Sequence, residues 1–185
     1  VYKRQGQTFQ LAIWADADKI RHTVVSHIVS RVENPTGTGK TTQIHKILFE
    51  VLNELRAQYG LGALKILIAI PRIAGAQSAA SRVAKEHGQQ LGKDIGLSIG
   101  DWKQMGYDAK VLFVSDGVLV GRAANDNDLE DFGCIILDEA HIPDLVVQLL
   151  LADVPRLIES RIAKGIKKGW SKAKSKASIR VVIMS

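Results

Sequence analysis

Short apolar runs of strand length alternate along the chain with stretches whose apolar residues recur at helical spacing. From Thr41 onward, Ile44, Ile47, Leu48, Val51, Leu52 and Leu55 form one apolar stripe, and Gly60 is placed to stop that helix. Leu64 to Ile70 is nearly all apolar, which suits a strand covered on both faces, and Pro71 ends it. A helical stretch then reaches about His87, with Gly88 at its end. Later apolar runs at Val111 to Val114, Cys134 to Leu137 and Ile179 to Met184 are separated by helical patterns that begin at Asp116 and Asp144. This alternation predicts an α/β domain with a mainly parallel sheet and right-handed crossovers.

A chain of 185 residues with 46% hydrophobic and 24% charged residues can bury a core without disulfides, and one domain is expected. Its single cysteine, Cys134, sits in an apolar run, which points to a reducing intracellular compartment. No apolar run approaches the ~20 residues of a membrane-spanning helix, so no membrane role is expected. The net charge of +6 is unevenly spread: Asp153 to Arg180 holds 9 Lys/Arg against 2 Asp/Glu, and the remainder 16 against 17. Val1 to Gln5 is read as a processing remnant and residues 1–10 as an extension, leaving 11–185 as the domain. Ser185 closes an apolar run with nothing to cap it, so the chain is expected to be a fragment.

Two motifs carry chemistry. Thr36-Gly37-Thr38-Gly39-Lys40-Thr41, followed by Thr42, lies between an apolar run and an amphipathic helix, the setting of a phosphate-binding loop. Its glycines let successive backbone N–H groups and the helix N-terminus face phosphate. Lys40 would reach the β- and γ-phosphates of ATP, and the Thr41 hydroxyl would hold Mg²⁺. The full pattern wants glycine at position 34, where Asn34 stands, a residue that tolerates a left-handed backbone. The second motif is Cys134 to Leu137 followed by Asp138-Glu139-Ala140-His141, an apolar strand ending in adjacent carboxylates. Strand alternation would let the two do different jobs: Asp138 on Mg²⁺ through its water shell, Glu139 orienting and deprotonating the attacking water.

Asp138-Glu139-Ala140-His141 resembles the signature of the DEAH-box helicases of superfamily 2, and other segments resemble that family in the same order. Pro71-Arg72, with Ser78 and Arg82-Val83-Ala84, looks like its motif Ia; Ser115-Asp116-Gly117 looks like motif Ib; Met184-Ser185 looks like the start of motif III. The resemblance covers roughly residues 11–185 and implies a P-loop NTPase fold, the first of two RecA-like domains, with helices on both faces of the sheet. It implies that Arg82 stacks on the adenine, that Pro71, Arg72, Ser115, Asp116 and Gly117 lie along an RNA backbone path, and that His141 connects the nucleotide site to motif III and a partner domain. The implied activity is ATP-dependent movement on single-stranded RNA, with a second RecA-like domain as partner in the same protein.

The sequence also departs from the family. The strand before the phosphate loop reads Ile28-Val29-Ser30-Arg31-Val32-Glu33, and two charges in a central buried strand are costly unless paired. After His141 stand Ile142-Pro143, where the family usually has Glu-Arg. Two other readings stay open: a DNA or viral replicative helicase of superfamily 2, which changes only the substrate, and a nucleotide-dependent switch that unwinds nothing, which these departures favour. Because each motif follows a strand, all are expected at one edge of the sheet, outside the strands' carboxyl ends. The Lys-rich segment 164–176 precedes a strand and is expected at the opposite edge as a solvated loop.

Overall fold

The computed structural model describes residues 2–4, 7–9, 11–35, 37–106, 109–124 and 129–185. A two-stranded antiparallel ribbon, β1 (Tyr2–Arg4) with β2 (Gln7–Phe9), stands outside the main sheet. A 3-10 turn (Ala12–Asp16) leads into α1 (Ala17–Ser26) and the first strand of the main sheet, β3 (Val29–Val32). Then follow α2 (Lys40–Tyr59), β4 (Lys65–Ile70), α3 (Ile73–Glu86), β5 (Ile95–Ile99), β6 (Trp102–Gln104) and β7 (Val111–Ser115). The chain continues through α4 (Asp116–Ala124), β8 (Phe132–Leu137), α5 (Leu145–Lys167), α6 (Lys172–Ala177) and β9 (Arg180–Met184). The strands form one seven-stranded sheet in the order β3-β9-β8-β4-β7-β5-β6, parallel except for the β5–β6 pair.

Burial on both faces explains the unbroken apolar runs. In β4, Ile66, Ile68 and Ile70 enter a core shared with α1, α2 and α3, while Leu67 and Ala69 enter a second core under α4 and α5. The stripe predicted from Thr41 onward is the buried face of α2, which ends at Gly60 in the left-handed conformation with φ +62°. Asp144 caps α5, its carboxylate accepting the Val146 N–H at 2.7 Å.

Two expectations are corrected. The strand carrying Arg31 and Glu33 lies at the edge of the sheet, with β9 as its one neighbour, rather than at a buried centre. Ser30 and Val32 face the core, whereas Arg31 and Glu33 are exposed and pair at 2.5 Å, so neither charge is desolvated. They therefore carry no argument against a working nucleotide site. The Lys-rich segment is not a loop. It runs through the end of α5, a turn at Gly169 and α6, because its small residues pack: Gly165 and Ser175 meet between the two helices, and Ala177 enters the core shared with α1 and α2. Its location is as expected, at the edge where strands begin. Lys168 reaches Glu130 at 2.8 Å ahead of β8, and Lys174 donates to the Gly60 carbonyl at 3.0 Å ahead of β4.

Candidate functional site

The site lies at the carboxyl ends of β3, β9, β8 and β4. After β3 the chain turns through Gly37 and Gly39, with φ +83° and +91°, before entering α2 at Lys40. Glycine is required at the second position for a further reason. A Cβ on Gly39 would stand 2.7 Å from Cδ1 of Leu11, so the segment ahead of α1 lies directly on the loop. The same segment holds the loop through the Ile13 N–H, which donates to the Thr38 carbonyl at 3.3 Å, and through Asp16. The Asp16 carboxylate accepts from the Asn34 amide at 2.9 Å. Asn34, which stands where the pattern wants glycine, thus has its own use as an anchor. Thr36 lies outside the described residues.

Lys40 Nζ donates to the carbonyls of Asn34 and, at 2.8 Å, Ser185, so it bridges the phosphate loop and the end of β9. The Thr41 hydroxyl donates to Asp138 Oδ2 at 2.5 Å, joining residues 97 positions apart. Asp138 is 3% exposed; burial pushes its carboxyl pKa up, while the bonds from Thr41 and the Glu139 N–H and the charge of Lys40 pull it down. Thr42, also buried, donates weakly to the Gly39 carbonyl.

The two carboxylates diverge for a reason other than strand alternation. Both lie past the end of β8, in a turn where Glu139 has φ +52°. The turn is fixed on both sides, by the Asp138 N–H to the Ala69 carbonyl and the Ala140 N–H to the Met184 carbonyl, each at 2.9 Å. Glu139 is thereby turned away from Asp138 and faces His141, with Oε2 3.3 Å from Nε2. The tie to the end of β9 runs through the Ala140 backbone, while the His141 side chain is exposed.

Along the same edge an open groove of about 570 Å³ gathers Arg72, Ser115, Asp116 and Gly117. Pro71 is buried just before Arg72 and does not line it. Arg72 has φ +74° and, with Glu139, is one of two non-glycine residues in the left-handed region among the described residues. Such a conformation costs about 1–3 kcal/mol and persists only where surrounding structure enforces it. Arg122 also lines this groove, and its Nε is buried with no partner. Sequence reasoning passed it over, although Gly117, Val118, Gly121 and Arg122 share one face of α4 by helical spacing. Arg82 stands elsewhere, on the exposed side of α3, with Nε 3.2 Å from Glu86.

The donor set fits a divalent cation of the Mg²⁺ type: Thr41 and Asp138 offer hard oxygens, and Lys40 stands by for phosphate charge. Among the described residues no group of three or more His, Cys, Asp or Glu is arranged for a metal, so such an ion would take its other ligands from phosphate and water.

Comparison with known proteins follows this geometry. Over 147 residues, 80% of the chain, the sequence is 35% identical to the probable ATP-dependent RNA helicase spindle-E of Culex quinquefasciatus. Over 146 residues, 77% of the chain, it is 32% identical to the ATP-dependent RNA helicase DEAH13 of Arabidopsis thaliana. The chain is homologous to the DEAH-box helicases. It spans 10% of the first relative and 12% of the second. The E. coli DExH-box NTPase HrpB superposes on 97% of the chain with a TM-score of 0.76 at 23% identity, covering 19% of that structure, and the shared fold is RecA-like. No family model matches the sequence. No helix among the described residues is long and apolar enough to cross a membrane.

Proposed function

We propose that residues 11–185 are the ATP-binding and hydrolysing domain of an intracellular ATP-dependent RNA helicase. The observation that carries this reading is the Thr41–Asp138 contact, which brings the phosphate loop and the DEAH segment to one part-buried oxygen pair beside Lys40. Lys40 would exchange its two carbonyl partners for phosphate oxygens, and Thr41, with Asp138 through the ion's water shell, would hold Mg²⁺, which would supply screening of phosphate charge. Glu139, turned away from that pair, orients the attacking water and takes its proton, with His141 steadying the carboxylate. Arg82 covers the nucleobase, and Arg72, Ser115, Asp116 and Gly117 hold single-stranded RNA by its backbone. A second RecA-like domain in the full protein completes the site, a reading supported by the small share of each relative that this chain spans.

Two substitutions in the full protein test this. Lys40→Ala should abolish Mg-ATP binding by calorimetry. Glu139→Gln should retain binding and lose turnover, because an amide hydrogen-bonds to water but cannot accept its proton. Wild-type turnover by Glu139→Gln would remove Glu139 from the base role. Stimulation by DNA but not RNA oligonucleotides would replace RNA as the substrate.

A further inference from the structure

Where α2 meets α3, polar side chains stand where apolar ones would be the ordinary choice. Gln43 is 2% exposed, His45 is wholly buried, and the Glu86 side chain is 9% exposed. A carboxylate so desolvated is stable only when both oxygens are partnered. Glu86 meets that condition in a telling way. Oε2 accepts from Gln43 Nε2 at 2.7 Å, and Oε1 accepts from Arg82 Nε at 3.2 Å. Gln43 is itself fixed, with Oε1 taking the Lys46 ammonium at 2.9 Å and Nε2 also reaching Thr42 Oγ1 at 3.3 Å. Further along the two helices, His45 Nε2 and His87 Nε2 meet at 3.1 Å and fasten them a second time.

Gln43 belongs to the first turn of the helix that leaves the phosphate loop, two residues past Thr41. Arg82 and Glu86 are one turn apart on α3, yet only Glu86 is buried against α2. The carboxylate is therefore the link between the loop's helix and an otherwise solvent-facing guanidinium. A guanidinium held through Nε keeps its flat face and terminal nitrogens available.

We propose that Glu86 is a positioning residue for nucleotide recognition: by dividing its carboxylate between Gln43 and Arg82, it holds the Arg82 guanidinium at a fixed place relative to the phosphate loop, where it covers the nucleobase. This rests on the reading of Arg82 given above. Without Glu86 the arginine swings freely on a solvent-exposed stem, and ordering it on each binding event offsets what its contact with the base contributes. The role touches the base and leaves the triphosphate alone.

That asymmetry supplies the test. Affinities of the 185-residue chain for Mg-ATP and for Mg-tripolyphosphate, which has the phosphates but no base, are measured by calorimetry for wild type, Glu86→Gln, Arg82→Ala and the double variant. In Glu86→Gln one oxygen remains, enough for Gln43 or Arg82 but not both. Expected is a preference of wild type for ATP that falls about three- to tenfold in Glu86→Gln. Tripolyphosphate affinity should stay unchanged, and the double variant should be no worse than Arg82→Ala. Equal loss for both ligands would show that Glu86 merely supports the fold, and would overturn the proposal. A preference lost in Arg82→Ala but intact in Glu86→Gln would overturn it while leaving Arg82 as the base contact. A preference intact in Arg82→Ala would instead remove Arg82 from the base, and Glu86 with it, leaving the phosphate loop untouched. Should Glu86→Gln not fold, Glu86→Asp, too short to span both partners, carries the same expectations.

Discussion

Acidification from pH 7 to pH 5 should destabilise this domain by way of His45. Burial, and then the neighbouring His87 and Lys46, push the His45 pKa down to about 3 from the ordinary 6.5. A histidine with a depressed folded pKa stays neutral in the native state while the unfolded chain takes up a proton below pH 6.5, so stability is intact above that value and drains as pH falls toward 3. The slope is ~1.4 kcal/mol per pH unit for one proton, which integrates to about 2 kcal/mol between pH 7 and pH 5. With a urea dependence of ~2 kcal/mol/M, the unfolding midpoint should drop by about 1 M. Asp138 acts in the opposite sense, since burial raises its folded pKa and the stability it withholds returns as pH falls through that value. His87, whose pKa burial also lowers, acts in the same sense as His45, so the comparison is between wild type and His45→Leu, which retains both Asp138 and His87. Urea titrations followed by tryptophan fluorescence should show the acid-induced shift in wild type and most of it gone in the variant. Equal shifts in the two proteins would refute the assignment of this pH dependence to His45.

Two further outcomes follow from the geometry. Arg122→Ala should weaken binding of a single-stranded RNA and flatten the dependence of log affinity on log salt by ~0.7, the loss of one phosphate contact; an unchanged slope in fluorescence anisotropy would remove Arg122 from the groove's function. Gly165→Ala should lower the melting temperature by several degrees, because the added Cβ would stand 2.5 Å from Ser175 Oγ, and overpacking of this kind costs about 1–3 kcal/mol; an unchanged Tm would show that α6 is loosely held.

Strands β4, β7 and β8 were legible because burial on both faces leaves a nearly continuous apolar run in the sequence, and β9 likewise past its first residue, Arg180. Strand β5 hides for the opposite reason. Gly96 and Ser98 interrupt it, and Gly96 is there because Met105 and Leu112 would stand within 3.2 Å of a Cβ. Strand β6 is exposed throughout and has no core-facing residue to announce it. Within the site, Lys40, Thr41 and Asp138 could be paired from motifs alone. The left-handed turn at Glu139 could not, since nothing in an Asp-Glu pair encodes φ +52°. The segment 11–16 also escaped notice, as its contacts with the loop are made across 18 or more residues and leave no local pattern.

That segment belongs to a longer brace. Its contacts at Leu11, Ile13 and Asp16 press on the phosphate loop, and α1 continues behind it to Val24 and Val25. There the buried Arg180 guanidinium, at the start of β9, donates to both carbonyls at 2.7 and 3.0 Å and clamps the far end. Anyone transplanting the loop into another scaffold, or exchanging it between homologues, would carry over its letters and lose its mould. A graft that respects this architecture has to take residues 11–41 as one cassette and bring an arginine to receive it.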